Sequence, residues 1–254
     1  MGLGPTPSYL AKYNTYTLPG YVQQESFDSN MRIADNYAPY ADGSTSEMTG
    51  LQNKMLSLTL KVWETDYATC KQQVQQAATM LRSKRQGFAP LYVQFSDKHY
   101  DAMVSSIKID KTAGDSTRML EYQVDFQCRP WLINDTVTTL SGGSLGRALT
   151  SFATTGRTLD NGGWSPTTII VTGNDITISG YSTKESFTGF ISISGTVTDL
   201  VIDSEGFSAT AAGVNKNAVM RYADYRVYIA PEETTITVSG ATSVTIDYYD
   251  RWYI

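Results

Sequence analysis

The chain has 254 residues, of which 41% are hydrophobic and 18% charged, with two cysteines and a net charge of -5. These values exclude a wholly disordered chain and a disulfide-stapled scaffold, and the length suits one large domain or two, each able to close a core unaided. The acidic balance opposes non-specific grip on nucleic acid, which depends on clustered Lys and Arg displacing counterions from phosphates.

Met1 to Leu10 shows neither a basic n-region nor an apolar h-region, and no apolar run approaches membrane-spanning length. The expectation is a soluble protein made in the cytoplasm with no membrane partner. The first sixty residues are Tyr-rich and punctuated by Pro19-Gly20, Pro39 and Asp42-Gly43, which predicts extended segments and turns. Leu56, Leu58, Leu60 and Val62 then alternate with Ser57, Thr59 and Lys61, the clearest strand signal of the first half.

A helix follows. Thr65 and Asp66 are suitable N-caps, Tyr67, Cys70, Val74, Ala77, Ala78 and Leu81 share one face, and Arg82, Lys84 and Arg85 suit the negative end of the dipole, with Gly87 at C′. Its Gln-rich opposite side carries no chemistry, so it reads as a packing element across a sheet. Strands are predicted at Leu91 to Phe95, Met103 to Ile109 and Leu120 to Gln127, where Tyr122, Val124 and Phe126 alternate. The first half is therefore α+β.

Between Asn134 and Gly163 the composition shifts to Ser, Thr and Gly, which reads as a linker, and the domain boundary is placed there: 1–133, then 134–163, then 164–254. From Trp164 onward the chain is a series of short strands: Ile169 to Thr172, Ile176 to Ser179, Phe190 to Ser194, Val197 to Ile202, Tyr225 to Ile229, Ile236 to Ser239 and Val244 to Tyr248. Gly173-Asn174, Gly180, Gly195 and Gly240 read as the reversals between antiparallel neighbours, in a β-sandwich. The segments 176–180, 191–195 and 236–240 share a strand-then-glycine pattern at unequal spacing, which is strand grammar and not a repeat.

Catalytic signals are weak. His99 is the only histidine, which excludes a two-histidine metal site, and no His-based triad is expected. Gly142-Gly143-Ser144-Leu145-Gly146 fits the nucleophile-elbow string, but its flanks are linker-like and His99 lies upstream. Gly2-Leu3-Gly4 lacks the third glycine of a dinucleotide loop, and no phosphate-loop Lys follows a glycine run. Asp203 with Glu205, and Glu232 with Glu233, read as solvated turn residues, and Asn134-Asp135-Thr136 is a sequon without a secretory route. Cys70 and Cys128 match no metal pattern and read as reduced, semi-buried thiols. The expectation is no catalytic residue, no cofactor and no metal.

Aromatics are in surplus, with 17 Tyr, 8 Phe and 4 Trp. Trp164, Tyr222, Tyr225 and Tyr228 form a candidate glycan or partner contact. The rival reading places the aromatics in core and subunit interface, where an apolar body keeps a polar tip satisfied.

The ending Tyr228-Ile229-Ala230-Pro231-Glu232-Glu233-Thr234-Thr235-Ile236, followed by 244–248 and Arg251-Trp252, resembles the close of distal tail proteins of long-tailed, non-contractile bacteriophages. In the first half Pro39-Tyr40-Ala41-Asp42-Gly43, the 56–63 strand, the helix to Arg85 and the strand closing on Phe126-Gln127-Cys128-Arg129-Pro130-Trp131 resemble the same family. Pro231-Glu232-Glu233-Thr234 stands where that family usually has Gly and Asn. No long insertion interrupts the second half, so neither the extended arm nor the added carbohydrate module of some relatives is expected.

The resemblance implies a mainly β protein: a ring-forming first domain with a tail-tube-like sheet and one helix, then a galectin-like β-sandwich. It implies a non-enzymatic hub at the virion tail tip, a homo-hexamer that joins the tail tube protein to tail-tip proteins and holds receptor-binding proteins in some cases. DNA would meet it only in transit through the central channel. Leu56, Leu58, Leu60, Val62, Tyr122, Val124 and Phe126 are the candidate subunit interface, since aromatic-rich strands suit a ring contact. Two alternatives stay open: a carbohydrate-binding protein adhering to host-surface polysaccharide, and a tail tube or tail terminator subunit.

Overall fold

The structure is a computed structural model that describes residues 9–28, 31–37, 44–51, 53–83, 87–109, 118–143, 150–154, 165–182, 188–221, 227–230 and 233–253. It is mainly β with one helix, and it divides into two compact units, Met1–Leu132 and Ile133–Ile254. No helix among the described residues is long and apolar enough to cross a membrane.

The first unit contains β1 (Lys12–Tyr13), β2 (Tyr16–Thr17), β3 (Tyr21–Asp28), β4 (Met31–Tyr37), β5 (Ser44–Leu51), β6 (Lys54–Trp63), α1 (Tyr67–Ser83), β7 (Ala89–Tyr92), β8 (Lys98–Ile109) and the start of β9 (Met119–Gly143). Its main sheet runs β3-β6-β9-β8-β7-β1-β2. A bridge between Tyr9 and Val22, with the Val22 N–H donating to the Tyr9 carbonyl at 2.9 Å, brings the start of the chain onto β3, so the two ends of the sheet are tied together.

The alternation of β6 determines what fills this sheet. Lys54, Leu56, Leu58, Leu60 and Val62 are fully buried, and their cross-strand partners on β9, including Phe126 opposite Leu56, Val124 opposite Leu58 and Tyr122 opposite Leu60, are buried with them. The Tyr13 and Phe126 rings meet at 5.4 Å between centroids, and the Tyr122 hydroxyl donates to the Pro19 carbonyl at 2.8 Å. Burying a phenol is tolerable only because its hydroxyl finds such an acceptor.

The helix begins where its cap predicts. Asp66 accepts the Thr69 N–H at 2.8 Å, satisfying one of the orphan donors of the first turn, and the buried face is Cys70, Val74, Ala77, Ala78 and Leu81. The Cys70 thiol lies against the Arg118 carbonyl at 3.3 Å. Tyr67, expected on that face, stays 43% exposed. Lys84 and Arg85 lie outside the described residues, while Gly87 has a φ of +110°.

The second unit holds the remainder of β9, then β10 (Thr150–Thr154), β11 (Ser165–Ser182), β12 (Thr188–Ile193), β13 (Thr196–Asp203), β14 (Ser208–Ala211), β15 (Val214–Asn215), a single 3-10 turn (Asn217–Val219), β16 (Met220–Arg221), β17 (Tyr228–Ile229) and β18 (Thr234–Tyr253). The long β11/β18 pair is its spine. Residues 168–174 of β11 pair with β13, residues 177–181 pair with β12, and β18 runs alongside both stretches. A single core takes its members from both halves, Ile169, Val171, Leu200, Val244 and Ile246 from one and Ile178, Ile191, Ile236 and Val238 from the other. The bulge bends the long strands, so that both of their halves face one core.

Three expectations are corrected here. Gly173-Asn174 and Gly240 are not chain reversals but the two sides of the bulge in a continuous strand pair, so the four strands predicted between 169 and 248 on β11 and β18 are two. Gly180 lies inside β11, opposite Gly189 on one side and Ile236 on the other. Gly195 does turn the chain, between β12 and β13, with φ at +80°. The stretch read as linker is strand over 134–143 and 150–154, because Val and Thr suit a half-wet strand as well as a loop. There Thr139 donates to Asp247 of β18 at 2.6 Å, and Leu140 packs against the core.

Candidate functional site

The seven residues expected at a subunit interface are all interior. Leu56, Leu58, Leu60, Val124 and Phe126 are 0% exposed, and Val62 and Tyr122 are 1% exposed. Alternation shows that a strand has one apolar face; it does not show what covers that face. Here the same chain covers it, so none of the seven offers a side chain to a neighbour.

The surface of the same strands is the opposite register of β6: Met55, Ser57, Thr59, Lys61 and Trp63. Trp63 is 68% exposed, and Tyr21, directly across from Lys61 on β3, is 52% exposed. The two aromatics are diagonal neighbours on one face, within reach of each other's rings. Large apolar side chains left this open on a strand mark a contact surface more readily than isolated apolar residues do.

Further along the same face of β6, at Ser57, lies a polar cluster centred on Asp125. Its carboxylate accepts from Ser57 at 2.7 Å, Ser106 at 2.5 Å and Gln123 at 2.6 Å, and Lys108 stands 3.2 Å away. Burial opposes ionisation of Asp125, but the hydroxyl, amide and ammonium donors outweigh it and pull the group down to about 2. The arrangement joins β6, β9 and β8 through one charge. It is a complete set of donors around an acceptor, which rigidifies the outer face and leaves no reactive group.

β4 and β5 form a separate two-stranded sheet, with Met31 opposite Leu51, Ile33 opposite Met48 and Tyr37 opposite Ser44. They continue directly from β3 and into β6. A two-stranded ribbon is marginal alone in water, so it needs a third surface. The sequence signal for it is the spacing of Met31 and Ile33 against Met48 and Leu51, on either side of the turn residues around Pro39 and Gly43. Those turn residues lie outside the described part.

The aromatic platform is only partly in view. Trp164, Tyr222 and Tyr225 lie outside the described residues, and Tyr228 is half-buried on β17, opposite Pro166 of β11. Gly142 and Gly143 of the elbow string end β9, and Ser144, Leu145 and Gly146 lie outside the described residues. Asp203 accepts the Glu205 N–H at 2.9 Å in a tight turn, and Glu205 pairs with Arg251 at 2.9 Å, so both carboxylates have structural partners. His99 sits 3.8 Å from Asp101 and packs its ring on Tyr92. Among the described residues no three His, Cys, Asp or Glu side chains converge as a metal would require.

Cys70 and Cys128 are both free and fully buried, more so than expected. Burial pushes the Cys128 thiol up to about 12, partly offset by the Lys54 ammonium across the strand pair. Such a thiol is inert, because the thiolate is the reactive form.

No family model matches the sequence, and no curated protein matches it. The fold has a clear counterpart among solved structures. The Dit protein of phage SPP1, described as a paradigm of the hub adsorption apparatus in phages that infect Gram-positive bacteria, superposes with a TM-score of 0.69 at 12% identity. That match covers 96% of this chain and 98% of the Dit chain. A chain of the phage P2 baseplate in its activated conformation with calcium gives a TM-score of 0.47 at 10% identity, covering 94% and 90%. The chain has the fold of the SPP1 Dit protein.

Proposed function

We propose that this chain is a structural distal tail protein of a long-tailed, non-contractile phage, with no enzymatic role. The observation that supports it is the end-to-end fold match to the SPP1 Dit protein, across both units and nearly the whole length of each chain. A plain tube or terminator subunit has no need of a second sandwich unit, and the match includes that unit.

In this reading six copies close a ring at the virion tail tip, between the tail tube and the tail-tip proteins. The first units form the ring, and the second units, galectin-like, face outward, where receptor-binding proteins dock. The β4–β5 ribbon and the Tyr21–Trp63 surface supply the self-contact. The ribbon gains its missing third surface on the neighbouring copy, which makes a heterologous contact that closes by rotation. A net charge of -5 lets DNA pass through the channel without adhering.

The test is the mass in solution by light scattering after size exclusion, with negative-stain images of the same peak. Closed rings of six 28.0 kDa chains with an open centre are expected. Long stacked tubes would replace this reading with the tail-tube one. A monomer at every concentration, even when mixed with a tail tube protein, would remove the ring.

A further inference from the structure

The outer face of β12, β11 and β18 in the second unit carries a pattern that core packing does not require. Strand register sets out three rows across it. Thr177 lies between Ser192 and Ser239, Ser179 lies between Phe190 and Thr237, and Tyr181 lies between Thr188 and Thr235. The alternate row, Ile178 between Ile191 and Val238, points the other way into the core. One face of these strands is therefore aliphatic and sealed, and the other is hydroxyl-bearing with two aromatic rings.

Those two rings are open to solvent. Tyr181 is 52% exposed and Phe190 is 38% exposed, while Thr177, Ser179, Thr235 and Thr237 are half-buried beside them. Tyr181 and Phe190 sit in adjacent rows of neighbouring strands, so they are diagonal neighbours on the order of 7–8 Å apart. The three rows hold no carboxylate. Among the described residues the charges at their margins are Arg221 on β16, exposed and paired with Ser192, and Glu233, exposed just before β18.

We infer that this face binds a glycan, a neutral hexose polymer lying flat across the three strands. A sugar ring has one apolar face of C–H groups that stacks on an exposed aromatic ring, and two rings on a diagonal seat two points of one extended chain. The flanking Ser and Thr hydroxyls both donate and accept, which is what sugar hydroxyls demand of their surroundings. An acidic polymer would find, among the described residues, Arg221 offset by Glu233, too little positive charge to hold it. A protein partner is disfavoured for a different reason: interfaces centre on a contiguous apolar patch, and here two large side chains are set among hydroxyls. The inference goes beyond the hub role and does not depend on ring formation.

The test is native affinity electrophoresis of the full chain in gels cast with hydroxyethyl cellulose, galactomannan or dextran. Retardation is expected in at least one gel, reduced at least ten-fold in apparent affinity by Tyr181→Ala and by Phe190→Ala, and kept by Tyr181→Phe, which preserves the ring. Tyr249→Ala, an exposed aromatic beyond the bulge on β18, should leave retardation unchanged. Thermal melts of each variant check that the second unit is still folded. No retardation in any of the three gels overturns the inference, and so does retardation that survives the double variant Tyr181→Ala, Phe190→Ala. Loss of a protein partner by the same double variant, without glycan binding, would reassign the face to protein docking.

Discussion

The Gly240 carbonyl fills the space that a side chain on Gly173 would take, at the bulge between β11 and β18. A Cβ on Gly173 would run into the Gly240 carbonyl and lie 2.7 Å from the Ala241 Cα, and one on Gly240 would lie 2.6 Å from the Asn174 carbonyl oxygen. Gly240 also holds a φ of +80°. The approach lets the buried register of β11 change from Ile169 and Val171 to Ile176 and Ile178, so one strand serves both halves of the core. The bulge is clamped from its other side: the Asp175 N–H donates to the Gly195 carbonyl at 3.1 Å, and the Gly195 N–H donates to the Asp175 carboxylate at 2.9 Å.

Gly240→Ala is therefore expected to destabilise the second unit by about 2–4 kcal/mol, combining about 1–2 for the left-handed backbone with overpacking against fixed main chain. Gly195→Ala has the same sign of φ but open space around it. It should cost only the backbone part, about 1–2 kcal/mol. Urea unfolding of the two variants, compared at equal m-value, checks the difference, and equal losses would show that the close approach does not matter.

Asp125 makes stability depend on acid. Its carboxyl is held near 2 in the folded chain against an ordinary 3.8, so the folded state binds the proton less tightly than the unfolded one. The stabilisation is fully present above pH 3.8 and is lost as pH falls through about 2. Asp125→Asn should cost about 2 kcal/mol at pH 7, with the gap to the parent protein closing towards pH 2. Denaturation series at pH 7, 4 and 2.5 would show it; a gap independent of pH would mean that the amide fails for reasons of geometry alone.

Leu58 and Trp63 sit on the same strand in opposite registers, and their variants should separate core from surface. Leu58→Ala is expected to cost about 2–5 kcal/mol in unfolding free energy. Trp63→Ala, on a side chain 68% exposed, should change it by less than about 0.5 kcal/mol while weakening self-association. Unfolding curves and sedimentation velocity on both variants make the comparison.

Cys70 and Cys128 should both resist a thiol reagent such as dithionitrobenzoate at pH 8 in the folded protein, and both should react within minutes in denaturant. Their burial and the raised thiol of Cys128 give the same direction. Rapid labelling of the native chain would show that the first unit opens locally around β9.

Much of this architecture could be read from residue order. Strict alternation on β6, the Asp66 cap and the i, i+3, i+4, i+7 face of α1 are local patterns, and local patterns survive whatever the chain later packs against. The hydroxyl rows were equally visible: 176–180, 191–195 and 236–240 echo one another, and the fold sets them side by side, with Ile178 between Ile191 and Val238. What read as strand grammar is one sheet's shared register.

Residue order by itself determined that the chain is mainly β with one helix and which side chains alternate. It did not determine which face of a strand is covered, whether a glycine is a reversal or a bulge, or whether a Thr-rich stretch is loop or strand. Those depend on contacts far apart along the chain: Tyr13 on Phe126, Gly173 on Gly240, Thr139 on Asp247. A period of two gives each strand two faces of different polarity, but only a neighbouring strand or helix, brought in by the tertiary fold, decides which becomes core and which is left for a partner.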